Sequence, residues 1–383
     1  MQLSSGLFAS KTLAVAVQLD VFSLATGDGI TVEEFAAARE LRTRPAGMLL
    51  TGCAGLGLLE KDGDRFRASP LAREYLVPGT RYYFGDFVTM LDERVYAGWM
   101  RLAEAVHTDA PTVWDATQRD SLFDDADPVT VRTFWRGMHS LSTYTARAVA
   151  EAYDFGSVRR LLDVGGGGAA FTIELCRAYP TLEATVYDLP FVCEQTAERI
   201  AEAGLSDRIT CVAGDFFAEE KLPGGHDVAL LSSVLHDWSA AENQVILDKV
   251  AAALPDGGRI LVAELLMDDD ESGPAPAALF NLLMLVETRR GRNYTGAAYE
   301  RWLRLAGCAA VERVPVAGVS ANALVVGRLP GGDRRPRTIQ PADVGIHRAS
   351  GSSRWPGTST VSHVGGHPGH RTPVINPFMG CGS

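Results

Sequence analysis

The sequence predicts an α/β protein with a mostly parallel, doubly wound sheet, preceded by a smaller helical domain. The first observation is that short apolar runs alternate with helical patterns between residues 158 and 328. This alternation is typical of βαβ units, which form parallel sheets. The second observation is that the last two runs lie too close together for a helical crossover, so we expect that pair to be antiparallel. The predicted strands are 160–164, 184–187, 209–212, 228–232, 259–263, 308–314 and 321–327.

The N-terminal region, residues 1–80, is predicted to be all-helical apart from one hairpin. Thr31 and Glu34 have the spacing of a capping box, which starts a short helix. Two short strands flank the turn that begins at Asp62. Helices followed by a hairpin are typical of a winged helix, a module that often binds DNA. Residues 49–59 are mostly apolar where a DNA-reading helix needs exposed Arg and Lys, so a dimerisation or packing module is favoured over a transcription regulator.

Three further regions differ in composition. Residues 81–157 have helical patterns and many aromatic side chains, which either form core or line a pocket for a small organic substrate. Residues 158–329 carry the predicted sheet. Residues 330–383 are rich in small and polar residues without a periodic apolar pattern, so we predict a disordered tail there. The tail histidines, His363, His367 and His370, permit a metal tract, but an unstructured segment is favoured.

Composition and charge exclude several classes of partner. The 383 residues carry a net charge of −11, which disfavours binding to nucleic acid or to anionic membranes. The longest apolar run, residues 279–286, is too short to span a membrane. The six cysteines include no Cys-x-x-Cys pair, which indicates reduced thiols and a cytoplasmic protein.

A glycine-rich loop follows the first predicted strand of the sheet. Four glycines begin at Gly165 and precede a predicted helix, so the backbone can turn tightly and a ligand can approach closely. Gly165 and Gly167 also fit a relaxed dinucleotide fingerprint, which leaves an NAD-dependent oxidoreductase as an alternative. Asp163 lies two residues before the first glycine. Its negative charge would attract a cationic ligand such as a sulfonium amino acid and would repel a pyrophosphate.

Two more acids lie at the ends of the next two predicted strands. Asp188 follows the second strand and can accept hydrogen bonds from both ribose hydroxyls. Asp215 follows the third, where it can bond an adenine amine while Phe216 stacks on the ring. Three acids at consecutive strand ends predict a site for S-adenosylmethionine.

These motifs resemble those of small-molecule O-methyltransferases of the plant and polyketide-tailoring type. The resembling motifs are Asp-Val-Gly-Gly-Gly from Asp163, Asp-Leu-Pro from Asp188, Gly-Asp-Phe-Phe from Gly214 and Leu-His-Asp-Trp from Leu235. The resemblance implies a Rossmann-like class I methyltransferase sheet, a winged-helix dimerisation domain and a homodimer. It further implies methylation of a small natural product or secondary metabolite, and cofactor contacts from Ser142 and Ser232. Ala169 departs from the family pattern, which has glycine there.

The resemblance implies that His236 is the general base. It follows the fourth predicted strand, and ligands of such sheets lie beyond the carboxyl ends of the strands. A histidine near neutrality suits removal of a proton from a hydroxyl. Asp237 is then a catalytic neighbour and Trp238 a substrate contact, and the alternative is a helix-capping His-Asp pair. The family's glutamate that orients the base is replaced here by Asn293, which can accept a hydrogen bond but stabilises an imidazolium less well.

Glu287 is an acid that the ordinary mechanism does not use, and it leaves a second chemistry open. His236, Asp237 and Glu287 would resemble the metal site of α-keto acid C-methyltransferases, with a divalent metal or iron binding a 2-oxo acid. Arg136 or His139 could then hold the carboxylate of the substrate. The alternative for Glu287 is a surface salt bridge to Arg289, Arg290 or Arg292, and O-methylation without a metal is favoured narrowly.

Overall fold

The computed structural model describes residues 3–118 and 128–332. Its N-terminal part combines helices with a small antiparallel sheet of order β1-β3-β2. The capping box of Thr31 and Glu34 and the hairpin β2–β3 are both present as predicted, while β1 adds a third strand that the sequence pattern does not predict. The elements are α1 (Gly6–Gln18), α2 (Val21–Leu24), β1 (Ile30–Thr31), α3 (Val32–Ala38), α4 (Thr43–Gly55), β2 (Leu59–Asp62), β3 (Arg65–Ala68) and α5 (Pro70–Tyr75).

A helical region connects this part to the large sheet. Its elements are α6 (Gly85–Met90), one π-helical turn (Leu91–Val95), α7 (Tyr96–Trp99), α8 (Leu102–Thr108) and the long helix α9 (Pro128–Ala152). Helix α9 packs against α6 on one side and against α10, the first helix of the sheet domain, on the other. It therefore brings the helical region next to the glycine-rich loop.

The large sheet has seven strands in the order β6-β5-β4-β7-β8-β10-β9. The five strands from β6 to β8 are parallel, whereas β10 is antiparallel to both β8 and β9, as the close spacing of the last two runs predicted. The strands are β4 (Arg160–Val164), β5 (Glu183–Asp188), β6 (Ile209–Ala213), β7 (Val228–Ser232), β8 (Arg259–Glu264), β9 (Ala310–Pro315) and β10 (Ala323–Arg328).

Helices cover both faces of this sheet because successive strand residues point in opposite directions. Leu161 packs in the cluster on one face, and its neighbour Leu162 packs in the cluster on the other. The helices are α10 (Ala170–Ala178), α11 (Pro190–Glu202), α12 (Ala240–Ala253), α13 (Ala275–Glu287) and α14 (Gly296–Leu305). A 3₁₀ turn (Leu235–Asp237) lies between β7 and α12.

Two further sequence predictions concern membrane spans and the C-terminal tail. No helix within 3–118 and 128–332 has the length and apolar character that a membrane crossing requires. The predicted disorder of residues 330–383 mostly falls on residues 333–383, which lie outside the described residues.

Candidate active site

The glycine-rich loop connects β4 to α10 in a conformation that few other residues could adopt. Gly165 has a φ of +69°, and a Cβ atom there would lie 2.8 Å from Val234 Cγ2. Gly167 has a φ of +52°, and a Cβ atom there would meet Trp135. Left-handed backbone favours glycine, and the lack of side chains leaves the amide groups of the loop accessible. Ala169 also has a positive φ, +57°, which explains why glycine suits this position.

Asp163 lies directly beneath this loop and is completely buried. Its Oδ2 atom accepts a hydrogen bond from Thr172 of α10, whereas its Oδ1 atom has no hydrogen-bond partner among the described residues. Burial raises the pKa of Asp163 to about 7, against the hydrogen bond from Thr172. A cationic ligand would favour the ionised form of Asp163, whose Oδ1 atom can accept a further hydrogen bond.

Asp188 ends β5 and ties the glycine loop to that strand. Its Oδ2 atom accepts a hydrogen bond from the Gly167 amide at 2.8 Å, and its Oδ1 atom accepts one from the Leu189 amide at 2.7 Å. Burial raises the pKa of Asp188 to about 6 despite these bonds. Each oxygen keeps a second lone pair, which is available to a hydroxyl donor.

The loop after β6 carries Asp215 and Phe216. Asp215 accepts a hydrogen bond from the Phe217 amide at 2.8 Å, which fixes a tight turn. The ring of Trp238 lies 5.7 Å from that of Phe216 and 4.7 Å from that of Phe217, so the three rings form one cluster. Lys249 of α12 donates to the carbonyls of Phe216 and Phe217. Trp238 thus lies beside the predicted adenine residues.

His236 is held by Glu264, the last residue of β8. Its Nδ1 atom lies 2.6 Å from Glu264 Oε2, and both side chains are buried. The other oxygen of Glu264 accepts hydrogen bonds from the amides of Val234 and Leu235, at 3.1 and 2.9 Å. One carboxylate therefore fixes both the ring and the backbone that carries it. The Nε2 atom of His236 lies 3.7 Å from Asp237 Oδ1.

The charges around His236 make it an unusually strong base for an imidazole. Burial alone would lower the pKa of His236, but the charges of Glu264, Asp237 and Glu287 and the bond to Glu264 raise it to about 9. The side chain of Asp237 is 46% exposed. The protein around it still withholds part of its solvation, which raises the pKa of Asp237 to about 6 although the His236 charge lowers it.

Two family models match this chain. One describes an O-methyltransferase domain and matches residues 99–309, and the other describes an O-methyltransferase dimerisation domain and matches residues 1–78. The chain belongs to the O-methyltransferase family. It is a methyltransferase that depends on S-adenosylmethionine, so the predicted fold class, enzyme class and cofactor are confirmed.

Individual relatives cover nearly the whole described chain. The 3-hydroxy-5-methyl-1-naphthoate 3-O-methyltransferase of Streptomyces sahachiroi is 47% identical over 326 residues, which are 85% of this chain and 93% of that protein. The tetracenomycin polyketide synthesis 8-O-methyl transferase of Streptomyces glaucescens is 31% identical, over 86% of this chain and 96% of its own. The solved structure of human N-acetylserotonin methyltransferase with S-adenosylmethionine matches with a TM-score of 0.75 at 26% identity, over 86% and 96% of the two chains.

The loop residues of this methyltransferase fit S-adenosylmethionine. The unpaired Oδ1 atom of Asp163 offers an acceptor to a cationic ligand. Gly166 lets the loop pack closely over Asp163, since a Cβ atom there would lie 2.7 Å from the carboxylate of Asp163. The unpaired acceptor beneath the loop suits a cationic ligand.

The alternative metal ligands of this methyltransferase do not fit a metal ion. Both oxygens of Glu287 bind Arg94, at 3.3 and 3.2 Å, and the two side chains are 11% and 7% exposed. The Nδ1 atom of His236 is taken by Glu264. Within the described part of the chain, no three His, Cys, Asp or Glu side chains are grouped as metal ligands. Glu287 also does not pair with the neighbouring arginines: Arg290 binds Glu242, Arg292 binds Glu271, and Arg289 donates to the Ala116 carbonyl.

Asn293 does not take the place of the family's orienting glutamate. It is 1% exposed and donates from Nδ2 to the Ala277 carbonyl at 2.9 Å. Its Oδ1 atom has no hydrogen-bond partner in the described structure, so it does not accept a bond from His236. A catalytic contribution of Asn293 by another route stays a prediction.

Among the predicted substrate and serine residues, His139 contacts the glycine loop. Arg136 lies on α9 and pairs with Asp86 at 2.8 Å. The Nδ1 atom of His139 lies 3.1 Å from the Gly168 carbonyl, and burial together with the charge of Arg199 lowers the pKa of His139 to about 4. A neutral imidazole bound to the loop is poorly suited to hold a carboxylate. Ser142 lies one turn further along α9, and Ser232 ends β7.

Sequence reasoning missed Glu264, although the same signal is present. An acid at the carboxyl end of an apolar strand identifies Asp163, Asp188 and Asp215. Residues 259–263 form a predicted strand, and Glu264 follows them directly. The pattern therefore extends to a fourth strand end.

Proposed function

We propose that this methyltransferase transfers a methyl group to a hydroxyl of a hydroxylated bicyclic aromatic acid or a related natural product, with His236 as general base. The observation that carries the proposal is the buried bond between His236 and Glu264. The 47% identity to a naphthoate O-methyltransferase supports the acceptor class. The edge contact of Phe280 with the His236 ring, 5.5 Å between centroids, adds an apolar surface that suits an aromatic acceptor.

The chemistry assigned to the chain's own residues is proton removal and orientation. S-adenosylmethionine, when bound, supplies a methyl group made electrophilic by its sulfonium charge. Glu264 holds the Nδ1 side of His236, so the free imidazole keeps its lone pair on Nε2. His236 Nε2 then takes the proton of the acceptor hydroxyl, and the oxygen becomes the stronger nucleophile. With a pKa of about 9, His236 accepts this proton only in its neutral form, so we expect turnover to rise as the pH rises toward 9.

The cofactor residues are assigned by their positions at the carboxyl ends of the strands. Asp163, Gly165 and Gly167 would hold the charged amino-acid end of S-adenosylmethionine, and Asp188 the ribose. Asp215 and Phe216 would bind the adenine. Ser142 and Ser232 stay predictions of cofactor contact.

A single assay tests both the acceptor class and the base. The purified enzyme is incubated with S-adenosylmethionine and either a hydroxynaphthoate or a 2-oxo acid, and products are identified by mass spectrometry. We expect an O-methyl ether from the hydroxynaphthoate, and a loss of roughly 10²–10⁴ in turnover for His236→Ala. His226→Ala is the matched control, because His226 is also buried but bonds Thr185 at the other end of the sheet. Carbon methylation of the 2-oxo acid would contradict the proposal.

We further propose a homodimer formed through the N-terminal domain. The match to a dimerisation domain over residues 1–78 supports it. Large apolar side chains of α1 and α4 also remain exposed, among them Phe8 at 70% and Met48 at 62%. Sedimentation at micromolar concentration should show a dimer, and Phe8→Asp with Met48→Asp should give monomer. Leu305→Asp, on the exposed face of α14, is the control and should remain dimeric.

A further inference from the structure

We propose that Asn243 is a positioning residue, whose side-chain amide fixes the backbone on both sides of His236. The inference rests on the proposed role of His236 as the base. The 3₁₀ turn carries the base, and Asn243 gives α12 a part in catalysis beyond packing.

Asn243 lies in α12 and reaches back to the 3₁₀ turn. Its Nδ2 atom donates to the Leu235 carbonyl at 2.8 Å and contacts the Trp238 carbonyl at 3.3 Å. These two carbonyls bracket His236 and Asp237 in the sequence. One amide group therefore holds both ends of the two-residue segment that contains the base.

The opposite side of the same turn is held by Glu264. Its carboxylate accepts the amides of Val234 and Leu235, so the chain entering the turn is fixed by an acceptor. The chain leaving the turn is fixed by the donor Asn243, and the Tyr294 hydroxyl also donates to Trp238 at 2.7 Å. His236 thus sits between two side chains of complementary hydrogen-bonding character.

The chemistry of the site explains why an amide is required at position 243. The side chain is fully buried, and its Oδ1 atom has no hydrogen-bond partner in the part of the chain that the structure describes. If the amide turned over, Oδ1 would face two carbonyl oxygens and be repelled. A carboxylate would be repelled in the same way, and a hydroxyl could donate only one hydrogen bond. A buried amide that leaves its own oxygen unpaired calls for an explanation, and the two bonds to the turn provide one.

The orientation of the turn controls the electrostatic surroundings of His236. The charged groups that face this ring are Glu264 from β8, Asp237 from the turn itself and Glu287 from α13, and Arg94 is paired with Glu287. The strongest favourable contact, with Glu264, depends on where the turn places Nδ1. Loss of the Asn243 bonds should loosen that contact and lower the pKa of His236 from about 9 toward its ordinary value.

The experiment compares Asn243→Ala with Gln244→Ala in the full-length enzyme. Gln244 is a matched control because it is the next residue, also contacts two partners through its amide nitrogen, and also has a buried oxygen without a partner among the described residues. Its partners are Asp248 and the Trp302 carbonyl, neither of which belongs to the turn. The measurements are the pKa of His236 by NMR of its ring protons, turnover, affinity for S-adenosylmethionine by calorimetry, and the unfolding temperature.

We expect Asn243→Ala to lower the pKa of His236 by about one unit or more. At pH 10, where the imidazole is mostly neutral in both proteins, misorientation of the base should reduce kcat by roughly 10- to 100-fold, with affinity for S-adenosylmethionine unchanged. Gln244→Ala should lower the unfolding temperature without changing the pKa of His236 or kcat. If Asn243→Ala does not fold, Asn243→Ser retains one donor and should show the same changes to a smaller extent.

Two other outcomes separate the inference from the function on which it rests. An unchanged pKa of His236 in a folded Asn243 variant overturns the positioning role. A lowered pKa of His236 with unchanged kcat at pH 10 supports the positioning role and overturns the assignment of His236 as the base.

Discussion

Neutralising Glu264 should weaken folding and catalysis together, in a pH-dependent way. The pKa of His236 is raised from the ordinary value of about 6.5 to about 9 by Glu264 and its acidic neighbours. A shift of about 2.5 units corresponds to about 3 kcal/mol. Because this pKa is higher in the folded than in the unfolded chain, the stabilisation is complete below pH about 6.5 and disappears as the pH rises through about 9. Glu264→Gln should therefore destabilise the protein by up to about 3 kcal/mol more at pH 6 than at pH 10.

The same substitution should impair the base through its tautomer. The amide that Glu264→Gln introduces can donate to Nδ1 of His236, which would leave the ring proton on Nε2 and remove the lone pair that receives the acceptor's proton. We expect turnover to fall by roughly 10²–10⁴. The assays are denaturant unfolding at pH 6 and pH 10, and turnover across that range.

Glu174→Gln is the control for this experiment. Glu174 is also buried, at 3% exposure, but it lies on α10 and not beside His236. It pairs with Arg177 of the same helix and with Arg81, which precedes α6. Loss of the Glu174 charge should lower the free energy of unfolding without changing how turnover depends on pH. If Glu264→Gln destabilised the protein equally at both pH values, the coupling between Glu264 and the charge of His236 would be refuted.

Three further predictions concern the cofactor loop and the ion pair beside the base. Gly165→Val should abolish binding of S-adenosylmethionine in calorimetry while the protein stays folded, since a Cβ atom there would collide with Val234. Unchanged affinity would show that the loop is not part of the cofactor site. Glu287→Ala should lower the free energy of unfolding by about 3–5 kcal/mol, because it leaves Arg94 buried and unpaired. A chelator should leave turnover unchanged. Chelator-sensitive activity would contradict our interpretation of this pair. Ala169→Gly should change the free energy of unfolding by less than about 1 kcal/mol, because relief of the left-handed backbone offsets the loss of one buried methyl group. A much larger loss of stability would show that packing of the methyl group outweighs the backbone strain.

The fold was predictable because its signals are local. Strands β4 and β7 have the predicted bounds, since each is a short apolar run that ends at a polar or glycine-rich segment. The antiparallel pairing of β9 and β10 followed from the short connection between them. Strand β1 was missed because two residues carry no periodicity.

The site was predictable only where a residue's role depends on its position along one strand. Asp163, Asp188 and His236 all lie at carboxyl ends of strands, which the sequence pattern located. The partners of side chains are set by packing between distant segments, so the pairing of Glu287 with Arg94 across 193 positions had no local signal. The same holds for the amide of Asn293, whose acceptor is the Ala277 carbonyl.

The base lies in the turn that follows β7, and its acid ends the adjacent strand β8, which limits the insertions that the chain can tolerate. Ser232 of β7 lies opposite Ala263 of β8, and Glu264 follows at the next position. Side chains alternate between faces along a strand, so one added residue within β8 would turn Glu264 to the opposite face. Placed between Ala263 and Glu264, the added residue would separate the carboxylate from His236 without shifting the buried residues that precede it in β8. Inactive variants that still fold should therefore be sought among insertions at this point, whereas insertions in surface loops such as the Asp62 turn should leave the chemistry intact.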